Sequence, residues 1–300
     1  MKKNVLGWMA VPVLLTLACG MIVPTTLPSQ PGVETIVAAT LQALTAAPPP
    51  TVAPSPTTEP EVSLGTTVTY NNITLALPTG LASNATGAQI PAADEQTTGP
   101  WGVAPEYIEL KLDGYVLAEK FHDPKIYVYP AQEFAAVHPN AANSISRLQA
   151  ILASPEAPLT NDALPHLPFA NAAQIFFTQP KILSFQNGSG IRFLTEYAQY
   201  FATVNNPDLF YHFQGLTSDG KYYIIAILPV TAPILAADEN PESPIPGGGI
   251  TFPGYDGPEA DMQAYYENVT RALDTIDPDA FSPSLMVLDS MIKSIRIDTQ

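Results

Sequence analysis

The sequence predicts an α+β fold. A mainly antiparallel sheet carries helices packed on its faces, as in an α/β/α sandwich, and a disordered Pro/Thr-rich tether precedes it. Three observations predict this. Residues 185–230 hold apolar, aromatic runs separated by turn residues. Helical patterns stand apart from them, at 144–154, 259–274 and after 283. Pro and Thr crowd residues 48–60. Local strand pairs with helices elsewhere make a sheet covered by helices.

The central stretch is the most informative. Runs 209–216 and 222–230 flank Thr217-Ser218-Asp219-Gly220-Lys221. Asp-Gly between such runs signals a hairpin, because Gly supplies the positive φ of the turn. The run from Tyr222 to Leu228 is apolar at successive positions, which predicts a central strand covered on both faces. A third run, 190–200, follows Asn187-Gly188-Ser189-Gly190, read as another turn.

The other elements follow in chain order. Segments 66–70 and 73–77 flank Asn71-Asn72, a two-residue hairpin, since Asn tolerates positive φ. Residues 78–102, rich in Ala, Thr, Gly and Pro, read as a long loop. Residues 107–112 and 126–130 read as strands. Ile145, Leu148, Ile151 and Leu152 share one face of a helix over 144–154. Prolines make 153–169 a loop, and 173–177 and 182–185 are short strands. Residues 231–258 form a Pro- and Gly-rich loop holding the acidic run Asp238-Glu239-Asn240-Pro241-Glu242. A helix over 259–274 places Met262, Tyr266, Val269 and Leu273 inward. Ser282 before Pro283 reads as an N-cap for a helix with Leu285, Leu288 and Ile292 on its apolar side. Residues 294–297 close the fold as a short strand.

The N-terminus has its own logic. Met1-Lys2-Lys3 is a basic start, 5–17 is apolar, and Thr16-Leu17-Ala18-Cys19-Gly20 follows. This is the layout of an export signal. Its end resembles a bacterial lipobox, which implies lipidation of Cys19 after removal of the segment before it, with residues 1–19 as the signal region. The alternative is an uncleaved anchor over 5–23, close to the ~20 residues that a spanning helix needs. Either places the remainder outside the cytoplasm, held at a membrane. Residues 20–62 then form the tether, with a short helix expected at 33–45 and an extended, polyproline-like stretch at 48–60. Residues 63–300 form one extracytoplasmic domain.

Composition excludes several functions. The 300 residues carry a net charge of −16 with 12 Lys and Arg, a surface that repels nucleic acid. Cys19 is the only cysteine, so the domain has neither an internal disulfide nor thiol chemistry. His122, His138, His166 and His212 fall in no zinc pattern, and no metal or cofactor is expected. His122-Asp123 reads as a loop. Ser189 lies in Gly-Ser-Gly without the full nucleophile elbow, so it reads as a turn residue. The acidic loops match no EF-hand spacing.

The segment Ser284-Leu285-Met286-Val287-Leu288-Asp289-Ser290-Met291-Ile292-Lys293-Ser294-Ile295, with Leu77-Pro78-Thr79-Gly80-Leu81, resembles the sandwich domains related to PsbP and Mog1. The whole chain resembles bacterial surface lipoproteins with such a domain. The resemblance implies a central antiparallel sheet covered by helices, a binding or assembly role, and no catalytic residue. The expected function is therefore a membrane-tethered, non-catalytic binding or assembly domain. Its candidate ligand-binding residues are His212, Tyr197 and Tyr211. Its partners are membrane lipid, through Cys19 or the apolar N-terminus, and a protein or small molecule. The alternative is an envelope hydrolase using scattered acids and His212, favoured if His212 meets Glu196 and Arg192 in one open cleft. A third reading is a structural envelope component that self-associates through the tether helix.

Overall fold

A computed structural model describes residues 62–100, 102–168 and 172–298. The signal region with Cys19, the tether up to residue 61 and the helix expected at 33–45 lie outside the described residues.

The first hairpin forms as its sequence predicts. Strands β1 (Leu64–Tyr70) and β2 (Ile73–Pro78) pair antiparallel across Asn71, which adopts φ 51°. The expected loop at 78–102 is different. It holds strand β3 (Asn84–Ile90) and a short helix α1 (Glu95–Thr98) capped by Asp94. Strand β3 is an outer strand, and Ile90 at its end is its one branched apolar residue. Ala85 alone is buried there, and the Tyr70 ring lies where a side chain at Gly87 would sit.

Strands β4 (Tyr107–Asp113) and β5 (Lys125–Pro130) match the sequence reading. The helical region is longer than expected. Helix α2 (Ala131–Val137) follows β5 directly, and α3 (Pro139–Ala153) begins five residues before the apolar pattern at 144. Pro139 at the first turn sets that start, and the His138 ring accepts the Asn140 N–H at 3.2 Å. Then come β6 (Ala173–Gln174), β7 (Thr178–Phe185), β8 (Gly188–Thr195), β9 (Tyr197–Ala198), β10 (Phe210–Thr217) and β11 (Tyr222–Pro229). Residues 231–258 carry no helix or strand, as expected. Helix α4 (Glu259–Asp274) has the predicted bounds, but Tyr265 rather than Tyr266 is the buried aromatic. Helix α5 (Leu285–Ser294) is capped by Ser284, not Ser282; the Ser284 hydroxyl accepts the Met286 N–H. Strand β12 (Arg296–Ile297) pairs with β2.

The main sheet runs β3-β4-β5-β11-β10-β8-β7, antiparallel throughout, so the unbroken apolar run of β11 is the middle strand of seven. Its side chains divide between two buried clusters, as a period of two requires. Ile224, Ala226 and Leu228 belong to one cluster with Val269 and Leu288. Tyr223, Ile225 and Ile227 belong to the other with Phe134, Leu148 and Ile151. A small sheet, β1-β2-β12, and the pair β6-β9 complete the set.

The glycines read as a turn at 188–190 lie inside β8 instead, and the turn is Gln186-Asn187. Gly190 faces Gly215 across β8 and β10, and the Phe213 ring covers both. A Cβ at Gly190 would lie 2.3 Å from the Gln214 carbonyl oxygen and 2.6 Å from Phe213 Cζ. Here the need is space, not backbone freedom.

One buried charge cluster joins α5 to the sheet. Asp289 Oδ1 accepts from Arg192 Nε at 3.1 Å and from the Tyr211 hydroxyl at 3.0 Å. Asp289 Oδ2 meets Lys181 Nζ at 3.1 Å. Arg192 also donates to the Gln179 carbonyl. Among the described residues no helix is long and apolar enough to cross a membrane.

Two substitutions test these constraints by urea denaturation. Gly190→Val should cost about 3 kcal/mol, since backbone and a buried ring must both move. Asp289→Ala should cost roughly 3–5 kcal/mol by stranding a buried guanidinium, whereas Asp289→Asn, which retains the hydrogen-bond acceptor, should cost less.

Candidate functional site

Antiparallel register brings several loops to one end of the sheet. Thr195 at the end of β8 is opposite Phe210 at the start of β10. Phe210 is opposite Pro229 at the end of β11, and Ile227 is opposite Lys125 at the start of β5. The residues before β5, between β8 and β10, and after β11 therefore share this end. They enclose a cleft of about 690 Å³. Its walls include Phe121 and His122 from the first segment, Glu196, Tyr200 and Asp208 from the second, and Glu239 and Tyr255 from the third.

Buried loop backbone must be hydrogen-bonded, and asparagine and tyrosine side chains do this here. Asn206 Oδ1 accepts from Ala232 N at 2.8 Å, and its Nδ2 donates to the Leu235 carbonyl at 3.1 Å. Asn205 bridges to Ala236, and Thr203 Oγ1 donates to the Glu239 carbonyl at 2.8 Å. From α4, the Tyr265 hydroxyl accepts from Val204 N, and the Tyr266 hydroxyl both accepts from and donates to Ala202. The cleft wall is thus tied to a helix and to its neighbouring loop.

Electrostatics in the cleft are one-sided. Glu196 is only 2% exposed. Among the described residues the one hydrogen bond of its carboxyl group is Oε1 accepting from Asn205 N at 2.7 Å. Desolvation raises its pKa well above the usual carboxylate range, and the Asp208 charge adds to the rise. Asp208 Oδ2 accepts from Asn205 Nδ2 at 2.8 Å. The His122 ring packs on Phe210 at 4.4 Å, and burial lowers its pKa to about 4 despite Asp208. Asp123, its sequence neighbour, instead meets Lys125 at 3.5 Å. Among the described residues no Lys or Arg lines the cleft.

The aromatic side chains complete the picture. The exposed large aromatics among the described residues are Phe121 (73%), Tyr200 (69%), Tyr255 (56%) and Phe201. The first three line this cleft. Phe201 lines two adjoining depressions, each of which shares Tyr200 with the cleft.

The structure separates the three residues singled out from sequence. Tyr197 lines the cleft. His212 and Tyr211 are adjacent in β10, so they point to opposite faces of the sheet, and both are fully buried. Tyr211 donates to Asp289. His212 Nε2 lies 2.7 Å from the Leu167 carbonyl, and its Nδ1 lies 3.4 Å from the Tyr197 hydroxyl. Gln214 Nε2 donates to the carbonyls of Pro165 and Leu167, and Gln214 Oε1 accepts from the Tyr223 hydroxyl at 2.5 Å. These partners fix the tautomer: Nε2–H donates to Leu167, and Nδ1 accepts from Tyr197. His212 is a satisfied core residue that holds the 165–167 segment. Arg192 is on the Asp289 side, so His212, Glu196 and Arg192 form no common cleft. Among the described residues no group of three His, Cys, Asp or Glu is placed to hold a metal ion.

The chain matches no protein-family model, no curated protein and no solved structure.

Burial lowers the His212 pKa from 6.5 to about 3, so the fold favours the neutral ring. That contribution is complete above pH 6.5 and is lost as the pH falls toward 3. His122 acts in the same direction, and Glu196, whose pKa is raised, in the opposite one. Comparison with His212→Gln isolates the His212 share. Between pH 7 and 4 the wild-type chain should lose roughly 3 kcal/mol more stability than the variant, at 1.36 kcal/mol per pH unit. Equal losses would show that His212 is not held neutral.

Proposed function

We propose that the chain is a membrane-tethered, extracytoplasmic binding protein, lipid-anchored through Cys19, and that its ligand enters the aromatic-rimmed cleft at the loop end of the sheet. One observation carries the binding reading. Exposed aromatic rings are few among the described residues, and Phe121, Tyr200 and Tyr255 converge on a single concave site. Convergent apolar and polar groups in a concavity are the usual mark of a ligand site. Leaving three rings exposed otherwise forfeits their burial energy.

The same reading takes the domain as a sandwich with helices on both sheet faces. Its support is that residues of α4 and α5 share one buried cluster with β11, while residues of α2 and α3 share the other. The likeness to PsbP- and Mog1-related domains fits that layering. The lipid-anchor reading rests on Ala18-Cys19 after an apolar run. A binding role is favoured over hydrolysis because His212 and Arg192 are each engaged by structural partners on opposite faces of the sheet.

Cys19→Ser tests the tether. The variant should lose incorporation of labelled palmitate and move from the detergent phase to the aqueous phase on Triton X-114 partitioning. Retention in the detergent phase without label would establish the 5–23 anchor instead. For the cleft, native mass spectrometry of the full chain should show a bound mass that Tyr200→Ala with Tyr255→Ala removes. A mass that survives both substitutions would place the ligand elsewhere.

A further inference from the structure

We infer that the ligand of this cleft is an organic cation, an amine or quaternary ammonium group on a small apolar body. This deepens the binding reading above and rests on it. Three observations on different groups agree.

First, among the described residues the lining holds three carboxyl groups, Glu196, Asp208 and Glu239, and no Lys or Arg. The nearest lysine in sequence, Lys120, interacts with the Asp208 charge from outside the lining and donates to the Asn206 carbonyl at 3.1 Å, which leaves Glu196 and Glu239 without a cation among the described residues. An anionic ligand would meet more negative than positive charge here.

Second, Glu196 is buried, lines the cleft, and bonds through Oε1 alone, to a backbone N–H. Its second oxygen has no protein donor among the described residues. A buried carboxyl group lacking a cation is costly unless something neutralises it. In the free protein burial favours the protonated form, and a positively charged group in the cleft would take the place of that proton. His122 cannot, because burial keeps its ring neutral.

Third, the exposed rings of Phe121, Tyr200 and Tyr255 line the same cleft as these acids. An aromatic face carries partial negative charge and attracts ammonium groups within about 6 Å of the ring centre. Rings alone would equally suit a sugar or an apolar ligand, and acids alone would suit a solvated metal ion. Rings and acids together, without cations, select a cation that also has an apolar surface.

The test is calorimetric titration of the full-length protein in detergent with choline, putrescine and spermidine. Two neutral controls run beside them: 3,3-dimethyl-1-butanol, which has the shape of choline without its charge, and cellobiose. At least one cation should bind, with choline at least tenfold tighter than its neutral isostere if choline is that cation. Glu239→Gln and Tyr200→Ala alter exposed side chains, so they should fold as wild type. Each should weaken cation binding by about tenfold, equivalent to 1.4 kcal/mol. Equal binding of choline and its isostere, or binding of cellobiose alone, would overturn the cation assignment and leave the cleft as a binding site. Binding that neither substitution changes would place the cation outside the cleft. No binding by any probe, together with no co-purifying mass, would overturn both readings.

Discussion

The fold depends on the carboxylate of Asp289. It is buried on α5 and meets Arg192 of β8, Tyr211 of β10 and Lys181 of β7. Removing a carboxylate and a guanidinium from water costs several kcal/mol, which only good geometry and further hydrogen bonds offset. The three strands involved are successive neighbours at one side of the main sheet, so the charge cluster fixes where the last helix rests on them. That placement reaches the other end of the chain. Ser294, at the end of α5, accepts from Ala76 N at 2.9 Å, and Asn72 Nδ2 donates to the Asp298 carbonyl at 2.8 Å. The first hairpin is thus held by residues that Asp289 positions.

Alternation along β10 explains why the interior of the sheet is not the site. Tyr211 and Phe213 face one side, His212 and Gln214 the other. On the first side Tyr211 completes the Asp289 cluster. On the second, Gln214 and His212 satisfy the carbonyls of Pro165 and Leu167, which lie in a segment without helix or strand. Polar groups buried in this way specify how loops attach. Their side-chain donors are spent on protein partners, and at zero exposure they meet no solvent. Where these strands end and their loops diverge, the chain leaves the cleft.

What the sequence revealed, and what it hid, divides along the same line. The hairpin at Asp219-Gly220, the central position of β11 and the span of α4 were legible because each depends on local turn chemistry or on periodicity. Strand β3 was not, because an outer strand seating Tyr70 on Gly87 needs small residues and so reads as a loop. Gly188 and Gly190 misled in the converse way: glycine commonly marks turns, but these two make room for the Phe185 and Phe213 rings across strands. Tyr197 was singled out as a candidate and lines the cleft, although it lies in the pair β6-β9 and not at the centre of the main sheet; its cleft partners were not legible. Phe121, Asp208 and Tyr255 are far apart in sequence and meet only through the register of four strands. The signal that pointed to them was indirect. The Pro- and Gly-rich stretch 231–258 is long for a connection that only closes a fold, and such loops are commonly functional.

The acidity of the cleft follows from where the cations went. The chain has 12 Lys and Arg against 28 Asp and Glu. Arg192 and Lys181 serve Asp289, Lys125 serves Glu109 and Asp123, and Lys120 serves the Asn206 carbonyl. Structural tasks therefore occupy cations that would otherwise balance the loop end of the sheet. Carboxyl groups in a partly enclosed, ring-lined space focus a negative potential, and the net charge of −16 adds to it at longer range. A positively charged solute would be drawn toward the domain and then find its contacts in the one described concavity that combines buried acid with exposed rings. Charge selectivity of this kind needs no dedicated motif, which is why no motif in the sequence announces it.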